Sequence, residues 1–434
     1  MTTKDIEFEL DSFVPISVDE SGHELRGDVV IRNTVEEAVL ADAVGIDSFN
    51  IAEHYRLDMM DSAGPVILGA IAGRTERIRL GTAVTVLSTQ DPVRVYTEFA
   101  TLDAVSNGRA QLIVGRGSLT ESFPLFGYEL ADYEDIFEEK LELLTRLLRD
   151  QPVTWSGKFR SPLDNQSLSP PLPEGHLPTL VSVGGSPQSV VRAARYGLPL
   201  MLAVIGGPPI RFAPLIDLYR RALDQFGYPE RRIGMHSHGY VARTDQEAAE
   251  IQWPHWAHVY EGAAAERGWA RPTMDRFQAE IDEGSLYLGS LETVASKVAW
   301  VIRLLGLSRF DLAYATGRVP HEQKLATIEL YGREVIPRGR ASRRTSGRLR
   351  HRRNARFGWN LRIVQCPATR LPTYCWASLE LERSAQRSPE QQLQANMTSP
   401  SPGRVMSSAS NSLSRSLPPA LAPSLQMPSS VTPT

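Results

Sequence analysis

Four short polar stretches of this sequence hold the residue types that bind phosphate or move protons, and each follows or lies within a run of apolar residues. They are Ala52-Glu53-His54-Tyr55-Arg56, Gly115-Arg116-Gly117-Ser118, Gly184-Gly185-Ser186 and His236-Ser237-His238. An imidazole changes charge near neutral pH, so it can donate or accept a proton under physiological conditions. A guanidinium and a glycine-rich turn are both common partners of phosphate. The four stretches together indicate an anion-binding, proton-transferring site.

The turn at Gly184, Gly185 and Ser186 is the clearest of these signals. Two glycines let the backbone approach a ligand closely, Ser186 is placed as the N-cap of a helix, and Pro187 suits its first turn. The free N–H groups and positive dipole end of such a helix attract an anion. A tight turn without a ligand is the structural alternative. Arg116, between two glycines, favours phosphate because its guanidinium binds phosphate oxygens in a fixed geometry.

Other reaction types find less support in the sequence. His236 and His238 could direct both rings to one side of a strand, with Glu53 and His54 as partners, but too few further carboxylates accompany them, and we predict no metal site. None of the five lysines of residues 1–340 stands at the end of a predicted strand, and no G-x-S-x-G motif is present. The remaining chemistry suits an enzyme that depends on a bound cofactor.

Short β-branched runs that alternate with amphipathic helical patterns must position these residues. The predicted strands are Ile6–Phe13, Ser48–Ile51, Ile78–Val86, Ala110–Val114, Thr179–Val183, Leu200–Ile205, Ile233–Val241 and Phe310–Ala315. Their near-continuous apolar character is typical of strands that are buried on both faces. Eight such strands predict an α/β fold of the (β/α)8 TIM-barrel type, with insertions at residues 151–178 and 245–290. An open doubly wound sheet is the alternative, and the lack of G-x-G-x-x-G argues against it.

Three helix starts can be read from capping signals. Thr34 to Glu37 and Thr244 to Glu247 have the spacing of capping boxes, and Asp91-Pro92 places proline at a first helical position. Amphipathic helices are also predicted over 134–148 and 320–335. In a barrel, the loops that follow the strands meet at one face, which is where the four polar stretches are expected to meet.

The charge distribution divides the chain near residue 340. Residues 1–340 hold 34 Lys and Arg against 47 Asp and Glu, whereas residues 341–434 hold 13 Arg, no Lys, three Glu and no Asp. Residues 341–434 are also rich in Ser and Pro, so we predict a disordered, low-complexity basic tail after a catalytic domain at 1–340. A product of out-of-frame reading is one interpretation of this tail. Nucleic-acid binding through residues 343–356 is another.

Composition excludes several classes for the acidic body. No apolar run approaches the roughly 20 residues of a membrane span, and acidic residues occupy the N-terminal segment where a signal peptide would be apolar. Both cysteines, Cys366 and Cys375, lie in the tail, so the body holds no disulfide or thiolate metal site. We predict a cytoplasmic protein whose acidic body binds neither nucleic acid nor membrane.

Residues 1 to about 338 resemble the bacterial luciferase-like flavin-dependent monooxygenases, which are (β/α)8 barrels. The resemblance is carried by GIDSFNIAEHY (45–55), by RIRLGTAVTVLSTQDPVRVYTEFATLDAVSNGRAQLIVGRGS (77–118), by FEEKLELLTRLL (137–148), by VSVGGSPQS (181–189) and by PHE (320–322). The 77–118 block is long and highly specific. The tail at 341–434 matches nothing in the family.

The resemblance implies roles for individual residues. His54 falls where the catalytic histidine stands, near the reactive edge of the flavin. Arg116 and the turn at 184–186 fall where the family binds the flavin phosphate. Thr82, Ala83 and Val84 match the strand against the isoalloxazine ring, and a cis peptide bond is expected at Ala83–Val84. Tyr55 replaces a second histidine, which argues against a light reaction and an aldehyde substrate.

The implied activity is oxidation of an apolar small organic substrate by reduced FMN and O2, with His54 positioning the reactive group or moving a proton. His236 and His238 are candidate substrate contacts. A separate NAD(P)H:flavin reductase and a homodimer are also implied. The alternatives are a hydride-transferring enzyme that uses the deazaflavin coenzyme, and a flavin-binding protein without turnover.

Overall fold

The computed structural model describes residues 6–344, except residues 118, 174–176, 268–269 and 315. Ser118, the strand end at Ala315 and nearly all of the predicted tail, with both cysteines, therefore lie outside the described residues. The last described helix ends at Arg344, slightly beyond the predicted boundary at 340. Within the described residues, no helix is both long and apolar enough to cross a bilayer.

Parallel strands form the centre of the molecule. The strands are β1 (Glu7–Ser12), β2 (Ser48–Ile51), β3 (Arg79–Thr82), β4 (Thr85–Val86), β5 (Leu112–Gly115), β6 (Val153–Trp155), β7 (Leu163–Gln166), β8 (Thr179–Val183), β9 (Leu200–Ala203), β10 (Ile233–Ala242), β11 (Tyr287–Ser290) and β12 (Arg309–Ala313). They pair in the order β3-β2-β1-β12-β10-β9-β8-β5-β4. A parallel bridge between Leu80 and Ala110 brings the two ends of this order together. The sheet is a nearly closed barrel, which confirms the predicted fold over the open-sheet alternative.

Seven of the predicted strands match single strands, and the remaining one is divided. The predicted strand at 78–86 is split into β3 and β4 by a cis peptide bond between Ala83 and Val84. Three observed strands were not predicted. β6 and β7 form an antiparallel hairpin within the insertion at 151–178, and β11 extends the sheet by pairing with the end of β10.

Helices cover the outside of the barrel. They are α1 (Gly27–Ala43), α2 (Gly64–Ala72), α3 (Pro92–Ser106), α4 (Ser122–Leu125), α5 (Tyr133–Arg149), α6 (Pro187–Arg195), α7 (Ala213–Gln225), α8 (Asp245–Arg267), α9 (Met274–Asp282), α10 (Leu291–Leu305), α11 (His321–Leu330) and α12 (Ile336–Arg344). Single 3₁₀ turns occur at Leu130–Asp132 and Pro209–Phe212, and a π-helical turn, Tyr331–Val335, joins α11 to α12.

The capping signals had different outcomes. Asp91 accepts a hydrogen bond from Val93 N, and Thr244 accepts one from Glu247 N, as predicted. The prediction at Thr34 was wrong, because α1 begins at Gly27, about two turns earlier. The Thr34 hydroxyl instead donates to the carbonyl of Val30 within the helix. A Thr-x-x-Glu spacing inside an amphipathic helix is therefore not a start signal by itself.

The centre of the barrel is polar, contrary to the expectation of apolar strands. Arg309 contacts Glu9 and Asp311, each at 2.5 Å, and Gln111 donates to Glu9 at 3.0 Å. All four side chains are buried. Burial raises the pKa of both Glu9 and Asp311. This central ion cluster ties β1, β5 and β12 together through side chains, beneath the face where the functional residues meet.

Candidate active site

Two connected cavities open at the carboxyl ends of the barrel strands. The first, of about 280 Å³, is called here the inner chamber and is lined by strand ends. The second, of about 740 Å³, is called the outer chamber and is lined by loops and by α8 and α9. Four residues line both chambers: Phe13, His54, Leu119 and Ile205. His54 therefore stands at the junction of the two spaces.

Asp61 fixes the orientation of His54. The His54 Nδ1 atom lies 2.7 Å from Asp61 Oδ2, and the His54 backbone N–H donates to Asp61 Oδ1 at 3.1 Å. The Asp61 side chain is fully buried, and burial raises the pKa of its carboxyl. Because the carboxylate accepts from Nδ1–H, the ring presents Nε2 for chemistry. The arrangement is that of a carboxylate-supported proton-transfer group.

The two histidines of β10 both contact Phe13, from different sides. The Phe13 ring centroid lies 5.3 Å from His54, 5.7 Å from His236 and 5.8 Å from His238. Of the pair, His236 lines the inner chamber and His238 the outer one. The structure therefore brings all three predicted histidines around one aromatic ring.

Each of these β10 histidines also has a partner at Nδ1. His236 Nδ1 lies 2.5 Å from Asp11 Oδ2, and His238 Nδ1 lies 2.9 Å from the Thr316 hydroxyl. Loss of hydration, with a smaller contribution from the neighbouring His236, lowers the pKa of His238 to about 3. His238 is therefore neutral at physiological pH, and its free nitrogen can hydrogen-bond to a neutral polar group.

Glu53 organises the wall of the inner chamber. It accepts hydrogen bonds from Val86 N at 2.9 Å, from Gln90 Nε2 at 2.6 Å and from the Tyr55 hydroxyl at 2.8 Å. Burial raises the pKa of the Glu53 carboxyl. Both oxygens of Glu53 therefore accept hydrogen bonds from the surrounding wall.

The cis peptide bond at Ala83–Val84 lies where the resemblance placed it, and both residues line the inner chamber. Thr82 does not line either chamber. Its hydroxyl donates to the carbonyl of Ile113 at 2.9 Å, so it bridges β3 to β5 beside the break in the strand. Thr82 thus lies in the wall next to the chamber, and its contact with a cofactor stays a prediction.

The two glycines around Arg116 are packed against valines of the chamber wall. A side chain at Gly115 would lie 2.7 Å from Val84 Cγ2, and one at Gly117 would lie 2.9 Å from Val86 Cγ1. Gly117 has in addition a φ of +81°. Both positions therefore require glycine.

Arg116 is held by an acidic residue of α5. Its guanidinium pairs with Glu134 Oε1 and lies 5.0 Å from the centroid of the Tyr133 ring. The other oxygen of Glu134 lies 2.7 Å from Nη2 of Arg192, a residue of α6. Two guanidiniums therefore share one carboxylate at the edge of the inner chamber.

The glycine turn lies next to this group, as the order of the strands requires. Gly184 lines the inner chamber, and no atom lies within 4 Å of where its side chain would begin. Gly185 has a φ of +119°, a conformation that favours glycine. Ser186 caps α6 by accepting from Ser189 N at 3.3 Å. The predicted N-cap, the first-turn proline and the open approach to the helix end are all present.

Four functional partners were not identified from the sequence: Asp11, Asp61, Glu134 and Arg192. Asp11 could have been found, because Glu9 and Asp11 alternate along β1 and so face the same side. Asp61 lies in a loop without periodicity, and only the fold brings it to His54. Glu134 and Arg192 lie on helices, where charged residues ordinarily face solvent.

The known proteins that are similar to this chain support the interpretation of the site as that of a cofactor-dependent enzyme. The family model described as "Luciferase-like monooxygenase" matches residues 9–308. A 4-hydroxyprotoasukamycin monooxygenase from Streptomyces nodosus subsp. asukaensis is 27% identical over 320 residues, which cover 70% of this chain and 85% of the relative. An F420-dependent glucose-6-phosphate dehydrogenase from Amycolatopsis mediterranei is 31% identical over 163 residues, or 36% of this chain and 48% of that protein.

Among solved structures, the oxygenating constituent of 3,6-diketocamphane monooxygenase from Pseudomonas putida, in complex with FMN, has a TM-score of 0.60. It is 20% identical, and the match covers 77% of this chain and 99% of that one. At this identity the likeness shows the fold. Since the family match spans well over half of the sequence, the chain is an oxidoreductase that belongs to the luciferase-like monooxygenase family.

Proposed function

We propose that the protein is a flavin-dependent monooxygenase that uses reduced FMN and O2 to oxidise an apolar small organic substrate. The observation that carries this proposal is the position of His54. It is backed by a buried carboxylate and stands where a smaller chamber with phosphate-binding features meets a larger, mostly apolar one. A cofactor in the inner chamber and a substrate in the outer chamber would meet at this ring.

The residues of the inner chamber fit a phosphate-bearing flavin. Arg116 supplies a guanidinium, the turn at 184–186 supplies backbone donors at the start of α6, and Ala83 and Val84 supply an apolar surface for a flat ring. In addition, apart from the neighbouring residues of the chain, no atom of the described residues lies within 4 Å of where a Gly184 side chain would begin, so the start of α6 is open to a ligand. Reduced flavin, when bound, supplies the electrons for activating O2.

The roles of the histidines follow from their partners. Asp61 keeps the proton of His54 on Nδ1, so Nε2 is the atom that holds or moves a proton during the reaction. His238, neutral and facing the outer chamber, hydrogen-bonds a polar group of the substrate. His236 lines the inner chamber and is supported by Asp11, which favours a contact with the cofactor over the contact with the substrate that the sequence predicted. The apolar walls exclude water from the reacting groups.

Tyr55 distinguishes this site from that of a light-emitting enzyme. It stands where the luciferase pattern has a second histidine, and its hydroxyl is committed to Glu53 at 2.8 Å. It does not release its proton near neutral pH, because burial followed by the charge of Glu53 raises the pKa of Tyr55 well above its ordinary value. This supports a substrate other than an aldehyde.

A second candidate is hydride transfer with the deazaflavin coenzyme. The observation in its favour is the relative from Amycolatopsis, whose name states F420 dependence. Parallel equilibrium titrations with FMN and with the deazaflavin coenzyme separate the two, because only the cofactor that the chamber accepts will saturate. A protein that binds reduced FMN but never consumes O2 would instead be a flavin carrier.

We further propose a separate NAD(P)H:flavin reductase as the source of reduced flavin and a homodimer as the working assembly, as the resemblance implies. The division into a catalytic domain at 1–340 and a tail at 341–434 is likewise a proposal. A chain truncated after Arg344, where α12 ends, retains full flavin binding if the tail takes no part in catalysis.

The test of the proposed activity is His54→Ala. The variant binds FMN as the parent protein does, but O2-dependent oxidation falls by about 10²- to 10⁴-fold, the usual contribution of a proton-transfer group. His23→Ala is the matched control, because His23 is an exposed histidine that pairs with Asp19 outside both chambers. Unchanged oxidation by the His54 variant contradicts the assignment.

A further inference from the structure

We propose that Glu134 is an internal anion that competes with the cofactor phosphate for Arg116, and that it thereby sets how tightly the cofactor binds. The inference rests on the proposed function in that it takes the inner chamber to bind a phosphate monoester. It assigns to Glu134 a role in affinity that neither the capping of α5 nor the barrel fold requires.

The geometry places Glu134 between two cations. Oε1 pairs with Arg116, and Oε2 lies 2.7 Å from Arg192. The Glu134 side chain is 46% exposed, whereas that of Arg116 is 23% exposed and lines the inner chamber. A half-exposed carboxylate thus holds the guanidinium that faces the ligand. A phosphate and Glu134 cannot both take the same N–H donors of Arg116.

Arg192 offers Glu134 an alternative position. Its side chain is 8% exposed, and its Nε is held by Glu138 at 2.6 Å. Its Nη2 already contacts Glu134, and its Nη1 has no hydrogen-bond partner among the described residues. A guanidinium can bind both oxygens of one carboxylate along an edge. Glu134 can therefore leave Arg116 and form a second hydrogen bond to Arg192, which satisfies a buried donor.

This exchange has a consequence for cofactor turnover. When a phosphate displaces Glu134 from Arg116, the free energy of the lost ion pair is subtracted from the free energy of binding. The cofactor is then held less tightly than Arg116 and the helix end alone would allow. Such a site suits a flavin that is delivered in reduced form and released after oxidation.

The experiment compares Glu134→Gln with the parent protein by calorimetric titration with FMN, riboflavin and inorganic phosphate. Glutamine keeps the shape of the side chain but removes the charge. We expect FMN and inorganic phosphate to bind about fivefold more tightly, the upper range for a partly exposed ion pair. Riboflavin, which lacks the phosphate, is expected to bind with unchanged affinity.

The matched control is Glu142→Gln, which removes a negative charge from the same helix at a position paired with Arg146. It leaves all three affinities unchanged. Glu134→Ala is the second variant and gives the same direction of change if the loss of charge is the cause. Unchanged or weaker binding of FMN and phosphate by both Glu134 variants overturns the inference.

The same titrations separate this inference from the proposed function. If the parent protein binds inorganic phosphate but not FMN, the proposed cofactor is wrong. Tighter phosphate binding by Glu134→Gln would then still support the competition at Arg116. If FMN binds to the parent protein and the Glu134 variants do not gain affinity for it, the proposed function stands and the role of Glu134 is rejected.

Discussion

The inner and outer chambers share four residues but are built in different ways. The inner chamber is walled by strand ends whose side chains are held by hydrogen bonds, as Glu53 and His236 are. The outer chamber is walled by loops and by α8 and α9, and several of its apolar side chains face solvent, with Leu57 97% and Val259 38% exposed.

This difference in construction indicates that the two chambers have different functions. A wall that is fixed by a hydrogen-bonded barrel holds reacting atoms in place, and preorganisation of this kind is a main source of rate enhancement. A wall of loop side chains tolerates substitution, because connecting segments vary with little effect on the core. The inner chamber is therefore expected to control the rate, and the outer chamber the choice of substrate.

The largest expected effect is that of Asp61→Asn. The amide can donate to His54 Nδ1, which moves the ring proton to Nε2, so that Nε2 can no longer accept a proton. We expect kcat to fall by about 10²- to 10⁴-fold while the Kd for FMN is unchanged, measured by O2 consumption and by titration. Asp58→Asn is the control, because Asp58 lies in the same loop and pairs with Arg56 instead. Equal losses of kcat in both variants would contradict the expectation that the hydrogen-bonded wall of the inner chamber controls the rate.

The second-largest expected effect is a change in substrate choice when the outer chamber is made smaller. Val259→Phe adds bulk to a residue that lines only this cavity, so it reduces the space for the substrate. We expect kcat/KM for the largest accepted members of a series of apolar ketones and thioethers to fall by roughly 10- to 100-fold. The affinity for FMN should not move. A change in FMN affinity would show that the two chambers are not separate in function.

The smallest expected effect is the pH dependence that His238 gives to the stability of the fold. The pKa of His238 is lowered to about 3, so the ring stays neutral in the folded protein but takes up a proton below about pH 6.5 when the chain unfolds. Its contribution to stability is present above pH 6.5 and is lost as pH falls toward 3. The parent protein should lose about 2 kcal/mol between pH 7 and pH 5 from this group, or roughly 3 °C in Tm.

His238→Gln should remove that part of the pH dependence, because glutamine does not titrate and can still bond to Thr316. Thermal unfolding between pH 5 and pH 8 measures it. The exposed His23 provides the control, and His23→Gln leaves the slope as it is. If the Tm of His238→Gln depends on pH as that of the parent protein does, His238 is not held neutral in the outer chamber.

Much of the barrel and of the chamber floor could be predicted from sequence, for a physical reason. Strand cores such as 48–51 and 179–183 are short, apolar and bounded by turn residues, so local pattern determines them. The turn at 184–186 is similarly local, because cap, proline and glycine lie within four residues. The role of a residue can therefore be predicted when it depends only on residues close to it in the sequence.

The residues that were missed have no local pattern that marks them. Asp61 is only seven residues from His54 but lies in a loop without periodicity. Glu134 meets Arg116 and Arg192 only in the folded chain, where α5 lies beside α6. The polar barrel centre was missed because Glu9 and Arg309, far apart in sequence, neutralise each other only after the barrel forms. The error at Thr34 is the opposite one. The local spacing predicted the start of a helix, but the longer amphipathic pattern continues through Thr34, which lies inside α1.

The long strand β10 gives the two chambers a common support. Its first half pairs with β9 and β12 in the barrel wall, and its second half pairs with β11 under the outer chamber. His236 and His238 lie where one pairing gives way to the other. A substitution that repacks the region around Tyr240 or Leu288 thus displaces a strand that also carries both histidines. Substitutions in the loops can therefore change the outer chamber alone, whereas substitutions that shift β10 change the positions of His236 and His238 as well.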